Sequence, residues 1–352
     1  MTSKRQIHVG NIAIGGGAPV SVQSMTNTDS RDSEATLSQI RSLAAYGCEI
    51  ARVSVPDEAA VEALARITSE SPLPVVADIH FKAKLAVASV GAGAAGLRIN
   101  PGNIGSRDRV AEVVEAARGG GIPIRIGVNA GSIPKEKRAL MTDDPVRALV
   151  EAILDYVTVF EEMDFRDFKV SAKSSSVTET IEANLALARE IDYPIHLGIT
   201  EAGTRWAGSI RSAVGIGALL AQGVGDTIRV SLTGDPVEEV RTGYEILRSL
   251  GLREHGPALI SCPTCGRTEI DVEAIANEVE RRLADYDGTF EVAVMGCVVN
   301  GPGEARRADF GIAGGKGEGL IFAAGEPVRK VAAAGLVDAL FEEIAKTQKR
   351  NM

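Results

Sequence analysis

The chain has 352 residues and a net charge of −9, and it is 45% hydrophobic, 24% charged and only 4% aromatic. That profile suits a globular protein of two or three domains rather than a disordered or fibrous one. The acidic balance argues against a general nucleic-acid-binding surface, which needs clustered Lys and Arg. No apolar run reaches the ~18 residues that span a bilayer. The opening MTSKRQIHVGNIAIGGG lacks a signal-peptide core, so a cytoplasmic protein is expected. Four cysteines are too few for a disulfide scaffold. In a reducing compartment, a close pair points to metal or redox work.

Short Val/Ile-rich runs recur along the chain: VSVQSM (core at 21–25), IARVSV (50–55), PVVADI (74–79), AGLRIN (95–100), PIRIGVN (123–129), FKVSAK (168–173), PIHLGIT (194–200) and TIRVSLT (227–233). Each precedes a segment of helical periodicity. Leu37, Ile40, Leu43 and Ala44 follow the acidic start Asp32-Ser33-Glu34. Val146, Leu149, Val150, Ile153, Val157 and Phe160 form a second stripe, and Asp235-Pro236 opens a third helix. Alternating strands and helices imply parallel pairing with right-handed crossovers. Eight such units in about 230 residues predict a (β/α)8 TIM barrel. The competing open doubly wound sheet would show a G-x-G-x-x-G loop after its first strand. Gly15-Gly16-Gly17 precedes that strand and reads as a hairpin or barrel-bottom turn.

In such a barrel the chemistry sits at the C-terminal strand ends. Those ends carry Arg52, Arg98, Arg125, Lys173 and Arg229, with Asn100, Asn129 and Ser231. Buried cations are costly unless paired. Salt bridges to Asp78 or Glu201 would explain one of them. Several converging on one mouth point to an anionic ligand, for which the arginine fork is well shaped. The loop Asn100-Pro101-Gly102-Asn103-Ile104-Gly105-Ser106 before a helix is a weaker phosphate signal. Asp78, His80 and Glu201 are acid–base candidates. Glu201, between an apolar strand and a Gly-rich turn, is expected to project into the mouth.

After Gly251 the composition changes. LISCPTCGRTEID holds Cys262 and Cys265 as a C-x-x-C pair, followed by a helix bearing Val272, Ile275, Ala276, Val279 and Leu283. A strand, FEVAVM, leads to Cys297 in GCVVNGPGE. The runs ADFGIA and GLIFAA flank Gly314-Gly315-Lys316-Gly317, which reads as a hairpin turn, and a last helix is expected from Val331 to Ala345. The domains are thus expected at 1–250 and 251–352. Cys48 reads as a small buried apolar residue. Three remaining thiolates suit either zinc, with a histidine completing the set, or an iron–sulfur cube with a non-cysteine fourth ligand, for which Glu304 is placed. Spacing leaves the two open.

The motifs VQSMTNTDSRD, ARVSVP, VADIHF, LRINPGNIG, IRIGVNAGS, KVSAKSS, LGITEAG, IRVSLTGDP, SCPTCGR and MGCVVNGPGE occur in this order. Together they closely resemble the 4-hydroxy-3-methylbut-2-enyl diphosphate synthase family (IspG/GcpE) in its two-domain bacterial form. The resemblance runs from about residue 5 to 345. It implies a two-electron reductive dehydration that opens 2-C-methyl-D-erythritol 2,4-cyclodiphosphate to (E)-4-hydroxy-3-methylbut-2-enyl diphosphate. It also implies a [4Fe–4S] cluster on Cys262, Cys265, Cys297 and Glu304. Diphosphate binding falls to Arg52, Arg98, Arg125, Lys173 and Ser231, with Asn129 nearby. Glu201 becomes the acid–base residue, with His80 and Asp78 beside it. Flavodoxin or ferredoxin is the implied electron donor, and Arg306 and Arg307 are a candidate docking surface for it. The linker near 250 leaves the bottom of the barrel, so the resemblance implies a head-to-tail homodimer. A zinc-ribbon barrel acting as lyase or hydrolase on a phosphorylated small molecule is the alternative.

Overall fold

The computed structural model describes residues 3–286, 288–297 and 308–351. The chain divides into two compact units, Met1–Arg253 and Glu254–Met352.

The first unit opens with a hairpin of β1 (Gln6–Val9) and β2 (Ile12–Gly15). Alternation turns Ile7, Val9 and Ile14 to one side, where they pack with Ile50 and Val76 in a separate buried cluster. Ile50 begins a barrel strand, so the hairpin plugs the N-terminal end of the barrel. Gly15, Gly16 and Gly17, with φ of 81°, 61° and 87°, carry the chain out of the hairpin. This matches the barrel-bottom turn read from their position.

Eight parallel strands follow: β3 (Ser21–Met25), β4 (Ile50–Ser54), β5 (Val75–Ile79), β6 (Gly96–Ile99), β7 (Ile124–Asn129), β8 (Phe168–Lys173), β9 (His196–Leu197) and β10 (Thr227–Ile228). They lie in the order β8-β7-β6-β5-β4-β3-β10-β9. A parallel bridge between Val170 and Ile195 joins the two outer members and closes the barrel. The expected runs at 194–200 and 227–233 are longer than the ladders of β9 and β10. A Cβ on Gly198 would stand 2.5 Å from Lys173 Nζ. There the chain makes room for an inward side chain instead of continuing regular pairing.

Around the strands run α1 (Ser33–Ala45), α2 (Glu58–Glu70), α3 (Ala83–Gly91), α4 (Pro101–Ile104), α5 (Arg107–Gly120), α6 (Arg138–Asp143), α7 (Pro145–Glu162), α8 (Val177–Glu190), α9 (Arg205–Leu220) and α10 (Pro236–Ser249). Asp32, Asp57, Asp144 and Asp235 each accept a hydrogen bond from a backbone N–H of the helix they precede. These caps satisfy donors that the first helical turn leaves open. Outward strand residues such as Val53, Ala77, Ile126 and Val170 join the helices in one apolar core. Cys48 lies in it, and burial pushes its thiol up to about 12, as its apolar reading requires.

The second unit comprises β11 (Ala258–Ser261), α11 (Val272–Leu283), β12 (Glu291–Met295), β13 (Phe310–Gly315), β14 (Glu318–Ala323), β15 (Glu326–Ala332) and α12 (Leu336–Asn351). β11, β12 and β13 are parallel, and β13, β14 and β15 are antiparallel. Val279, Val292, Ile312, Leu336 and Ile344 fill the core. The hairpin at 314–317 forms as read, with Gly315 opposite Glu318. The last helix, expected from Val331, begins at Leu336. Residues 326–332 form instead the edge strand β15, whose charged and exposed sequence EPVRKVA hides the usual apolar alternation. Charge and proline are what keep a free sheet edge from pairing with another chain.

Candidate active site

Side chains at alternate strand positions enter the barrel. At the C-terminal strand ends they line a cavity of about 200 Å³. The sequence candidates Arg52, Asp78, His80, Arg98, Arg125, Asn129, Lys173, Arg229 and Ser231 all line it, together with Met25, Ser171, Ile199 and Thr200. Four barrel strands thus deliver a cation to one small space, and a fifth cation, Arg229, follows directly on β10.

Two carboxylates offset part of this charge. Arg98 Nη1 lies 3.1 Å and Arg52 Nε 3.7 Å from Asp78, and His80 Nε2 is also 3.7 Å from it. Burial alone would raise the Asp78 carboxyl, but Arg52, Arg98, Arg125 and His80 outweigh it and hold it below its ordinary value. Arg52 also donates to Met25 Sδ at 2.8 Å through Nη2. Arg229 forms a bidentate pair with Glu239 of α10 at 2.9 and 3.1 Å and donates to Ser231 Oγ at 2.7 Å. The salt-bridge reading therefore holds for Arg52, Arg98 and Arg229.

Arg125 and Lys173 have no ion-pair partner among the described residues. Arg125 Nε and Nη1 are buried without a hydrogen-bond partner. Burial, then the neighbouring Arg125 and Arg52, push the Lys173 ammonium well below its ordinary value. Five cations around a cavity holding one carboxylate, with Glu239 behind, are an arrangement that an anion of two or more charges would neutralise.

Glu201 stands apart. It is exposed and does not line the cavity. It follows Thr200, which does, and its φ of 53° places a non-glycine residue in the left-handed region. The phosphate-loop reading of 100–106 finds its amides committed. Asn100 Oδ1 accepts from the Gly102 N–H at 3.1 Å, and Asn100 Nδ2 donates to Ser132. Sequence reasoning missed Glu239, Met25, Ser171 and Thr200. Ser171 shares the parity of Lys173 on β8, a signal that could have found it, whereas Thr200 lies beyond the end of β9, where no strand period applies. Glu239 sits on a helix, where no strand pattern marks it.

In the second unit, Cys262 follows β11 and Cys297 follows β12, at the same end of two adjacent parallel strands. The Gly296 N–H donates to Cys262 Sγ at 3.1 Å, and the Gly296 carbonyl accepts from the Glu269 N–H at 2.9 Å. A Cβ on Gly296 would meet Val272 Cγ2 at 2.6 Å, so glycine permits this close stitch. Cys265 lies exposed in the same loop as Cys262, and a hydrogen bond from the Arg267 backbone lowers its thiol. An N–H aimed at the Cys262 sulfur suits a thiolate ligand of a soft metal centre. No group of three His, Cys, Asp or Glu side chains is gathered at metal-binding distance among the described residues. Glu304, Arg306 and Arg307 lie outside those residues.

Residues 4–244 match the GcpE TIM-barrel domain, and residues 258–346 match the GcpE protein C-terminal domain. The chain belongs to the GcpE family. It is 59% identical over 342 residues to a Geobacter sulfurreducens protein named 4-hydroxy-3-methylbut-2-en-1-yl diphosphate synthase (flavodoxin), with 97% of both chains covered. A Clostridium acetobutylicum protein of the same name is 54% identical over 340 residues, again with 97% of each covered. Among solved structures, dihydropteroate synthase from Stenotrophomonas maltophilia superposes with a TM-score of 0.53 at 16% identity, covering 70% of this chain and 98% of that one. At that identity the likeness shows a shared barrel. No helix among the described residues is long and apolar enough to cross a membrane.

Proposed function

We infer that this GcpE-family protein is an oxidoreductase that converts 2-C-methyl-D-erythritol 2,4-cyclodiphosphate to (E)-4-hydroxy-3-methylbut-2-enyl diphosphate, consuming two electrons and releasing water. The observation that carries this reading is the cationic mouth, in a chain whose relatives over 97% of its length bear that activity as their name. The barrel unit, 1–250, binds substrate, and 251–352 carries the cofactor.

Arg52, Arg98, Arg125, Lys173 and Ser231 hold the diphosphate. Arg125 and Lys173, with no carboxylate of their own, gain most from it. Fixed donors around the cavity stabilise the charge released as the ring opens, because they need no reorganisation at that moment. Asp78 keeps Arg98 and Arg52 oriented, and Asn129 and His80, which line the same cavity, are the further catalytic candidates. Glu201 supplies the proton to the departing hydroxyl. Its left-handed backbone is supporting evidence, since residues held in that region cost ~1–3 kcal/mol and cluster at functional sites. Cys262, Cys265 and Cys297, with Glu304, hold a [4Fe–4S] cluster, which when bound supplies the electrons and a Lewis-acidic iron. Flavodoxin or ferredoxin reduces it.

The protein works as a homodimer in which a second copy closes each mouth. Arg253, the last residue of the first unit, donates to the Val20 carbonyl at 2.8 Å and pairs with Glu49 at 2.6 Å. Both partners lie at the N-terminal strand ends, so the barrel chain leaves on the face opposite the mouth.

Anaerobically purified protein should be brown, contain about four iron and four sulfide per chain, and turn over the cyclodiphosphate with a reduced flavodoxin. Colourless protein with one zinc would overturn the cofactor and favour a zinc-dependent lyase. Glu201→Gln should abolish turnover and keep the cluster spectrum, whereas loss of the cluster would refute its assignment as the proton donor.

A further inference from the structure

Beneath the cavity, the barrel interior stays polar at positions that Val, Ile and Leu usually fill. Arg125 faces Lys169 across β7 and β8. The parallel Val170–Ile195 bridge sets His196 opposite Ser171, one inner position further along β8 than Lys169. His196 pairs with Thr227, and Thr227 with Ser21. These positions occupy two neighbouring inner layers of the barrel, Arg125 with Lys169 and His196 with Thr227 and Ser21, all of them buried. Each keeps a side-chain nitrogen or oxygen without a hydrogen-bond partner: Arg125 Nε and Nη1, Lys169 Nζ, both His196 nitrogens, Thr227 Oγ1 and Ser21 Oγ.

The charges around Lys169 explain which of these groups gives way. Arg125 faces it from β7, His196 of β9 stands one inner position along, opposite Ser171, and Lys173 lies further along its own strand. Arg52, Arg98 and Arg229 complete the cationic interior. Asp78 is engaged by Arg98 and Arg52, and Glu239 by Arg229. No ion pair reaches Lys169 among the described residues. Arginine keeps its proton at any ordinary pH, so lysine and imidazole are the groups that yield. Burial, then Arg125, push Lys169 down to about 7, and burial holds His196 well below its ordinary value.

We infer that Lys169, one layer below the substrate cavity, is a positioning residue that takes up a proton when a diphosphate fills the mouth, so that the bound anion meets a charge the empty barrel does not carry. This rests on the diphosphate reading of the mouth. The proton comes from solvent, and no bond to the substrate forms or breaks. Each phosphorus of a cyclic diphosphate bears one strongly acidic hydroxyl, so the ligand is a fixed dianion near neutral pH and does not itself take up the proton. The new ammonium acts through Arg125, the strand neighbour that touches the cavity.

Calorimetric titration of the oxidised holoenzyme with the cyclodiphosphate, without reductant, in two buffers of different ionisation enthalpy counts the protons taken up. Because Lys169 sits at about 7 in the empty barrel and is raised by a bound anion, wild type should bind several-fold more tightly at pH 6 than at pH 8. Lys169→Met should take up fewer protons than wild type at pH 8, by up to about one. The other groups of the mouth are the same in both proteins, so the difference reads the substitution at Lys169. Lys169→Arg, permanently charged, should lose the same uptake yet keep wild-type affinity at pH 6, and it covers the case in which the methionine variant fails to fold. Binding with pH-independent affinity, or with uptake unchanged in the variants, overturns the inference alone. No binding to wild type overturns the diphosphate reading together with it.

Discussion

Glu239 is the sharpest test of how the mouth is held together. Its carboxylate is almost fully buried, lies 2.9 and 3.1 Å from the Arg229 guanidinium, and also accepts from Ser24 Oγ at 2.9 Å and the Leu232 N–H at 3.0 Å. Glu239→Gln keeps the shape and removes the charge. At 2.9 Å and an effective dielectric of 20, the lost attraction is about 6 kcal/mol. Relief of the carboxylate's own desolvation returns several kcal/mol of that. The net loss should be about 3 kcal/mol, near the lower end for breaking a buried pair. For a barrel of this size that lowers the melting temperature by about 6–12 °C. Differential scanning calorimetry of wild type, Glu239→Gln, Arg229→Met and the double variant measures both the loss and the coupling. The double variant should lose less than the sum of the single ones, because removing Arg229 removes the uncompensated charge. A shift under 2 °C, or strictly additive losses, would refute the view that Glu239 fixes Arg229 at the mouth.

Gly198→Ala would bring a methyl within 2.5 Å of Lys173 Nζ and 2.6 Å of the Arg229 carbonyl. It should raise KM at least ten-fold and lower stability, and steady-state kinetics with unchanged KM would show that the strands yield freely. Cys297→Ala should purify with little iron or sulfide and no visible absorbance, while the barrel's own thermal transition stays where it is. A variant retaining the full iron content would show that Cys297 is not a ligand. Lys169 also makes stability depend on pH. Its folded value of about 7 lies below the unfolded ~10.4. Between these values the unfolded chain binds more protons, so stability rises with pH across that window and is flat and lowest below it. Urea midpoints at pH 7 and 9.5 should differ in wild type and differ less in Lys169→Met, where Lys173, also held below its ordinary value, supplies the remainder.

Much of the site is legible in the sequence because a barrel strand has a strict two-residue period. Once Arg98 and Arg125 are placed inward, Asp78, Asn129 and Lys173 follow by parity, and the structure sets all of them around one cavity. The same parity points to Lys169, but the residue reads as an ordinary surface lysine until the register places it opposite Arg125. Glu239 was invisible for another reason. It faces the strands from a helix whose acidic first turn looks like routine complement to the helix dipole. The strand β15 escaped because its residues are chosen to keep an edge unpaired, which erases the alternation that marks a strand.

The sequence by itself determined the alternating strand–helix order, the inward parity of the cations and the three-cysteine pattern of the last hundred residues. These are local signals, carried by periodicity and spacing within short stretches of chain. Only the tertiary structure decided which cations are neutralised and which are left waiting for an anion. Partners such as Arg229 and Glu239, or Asp78 with both Arg52 and Arg98, come from separate elements. Electrostatic balance is a property of distances in space, and barrel closure sets those distances.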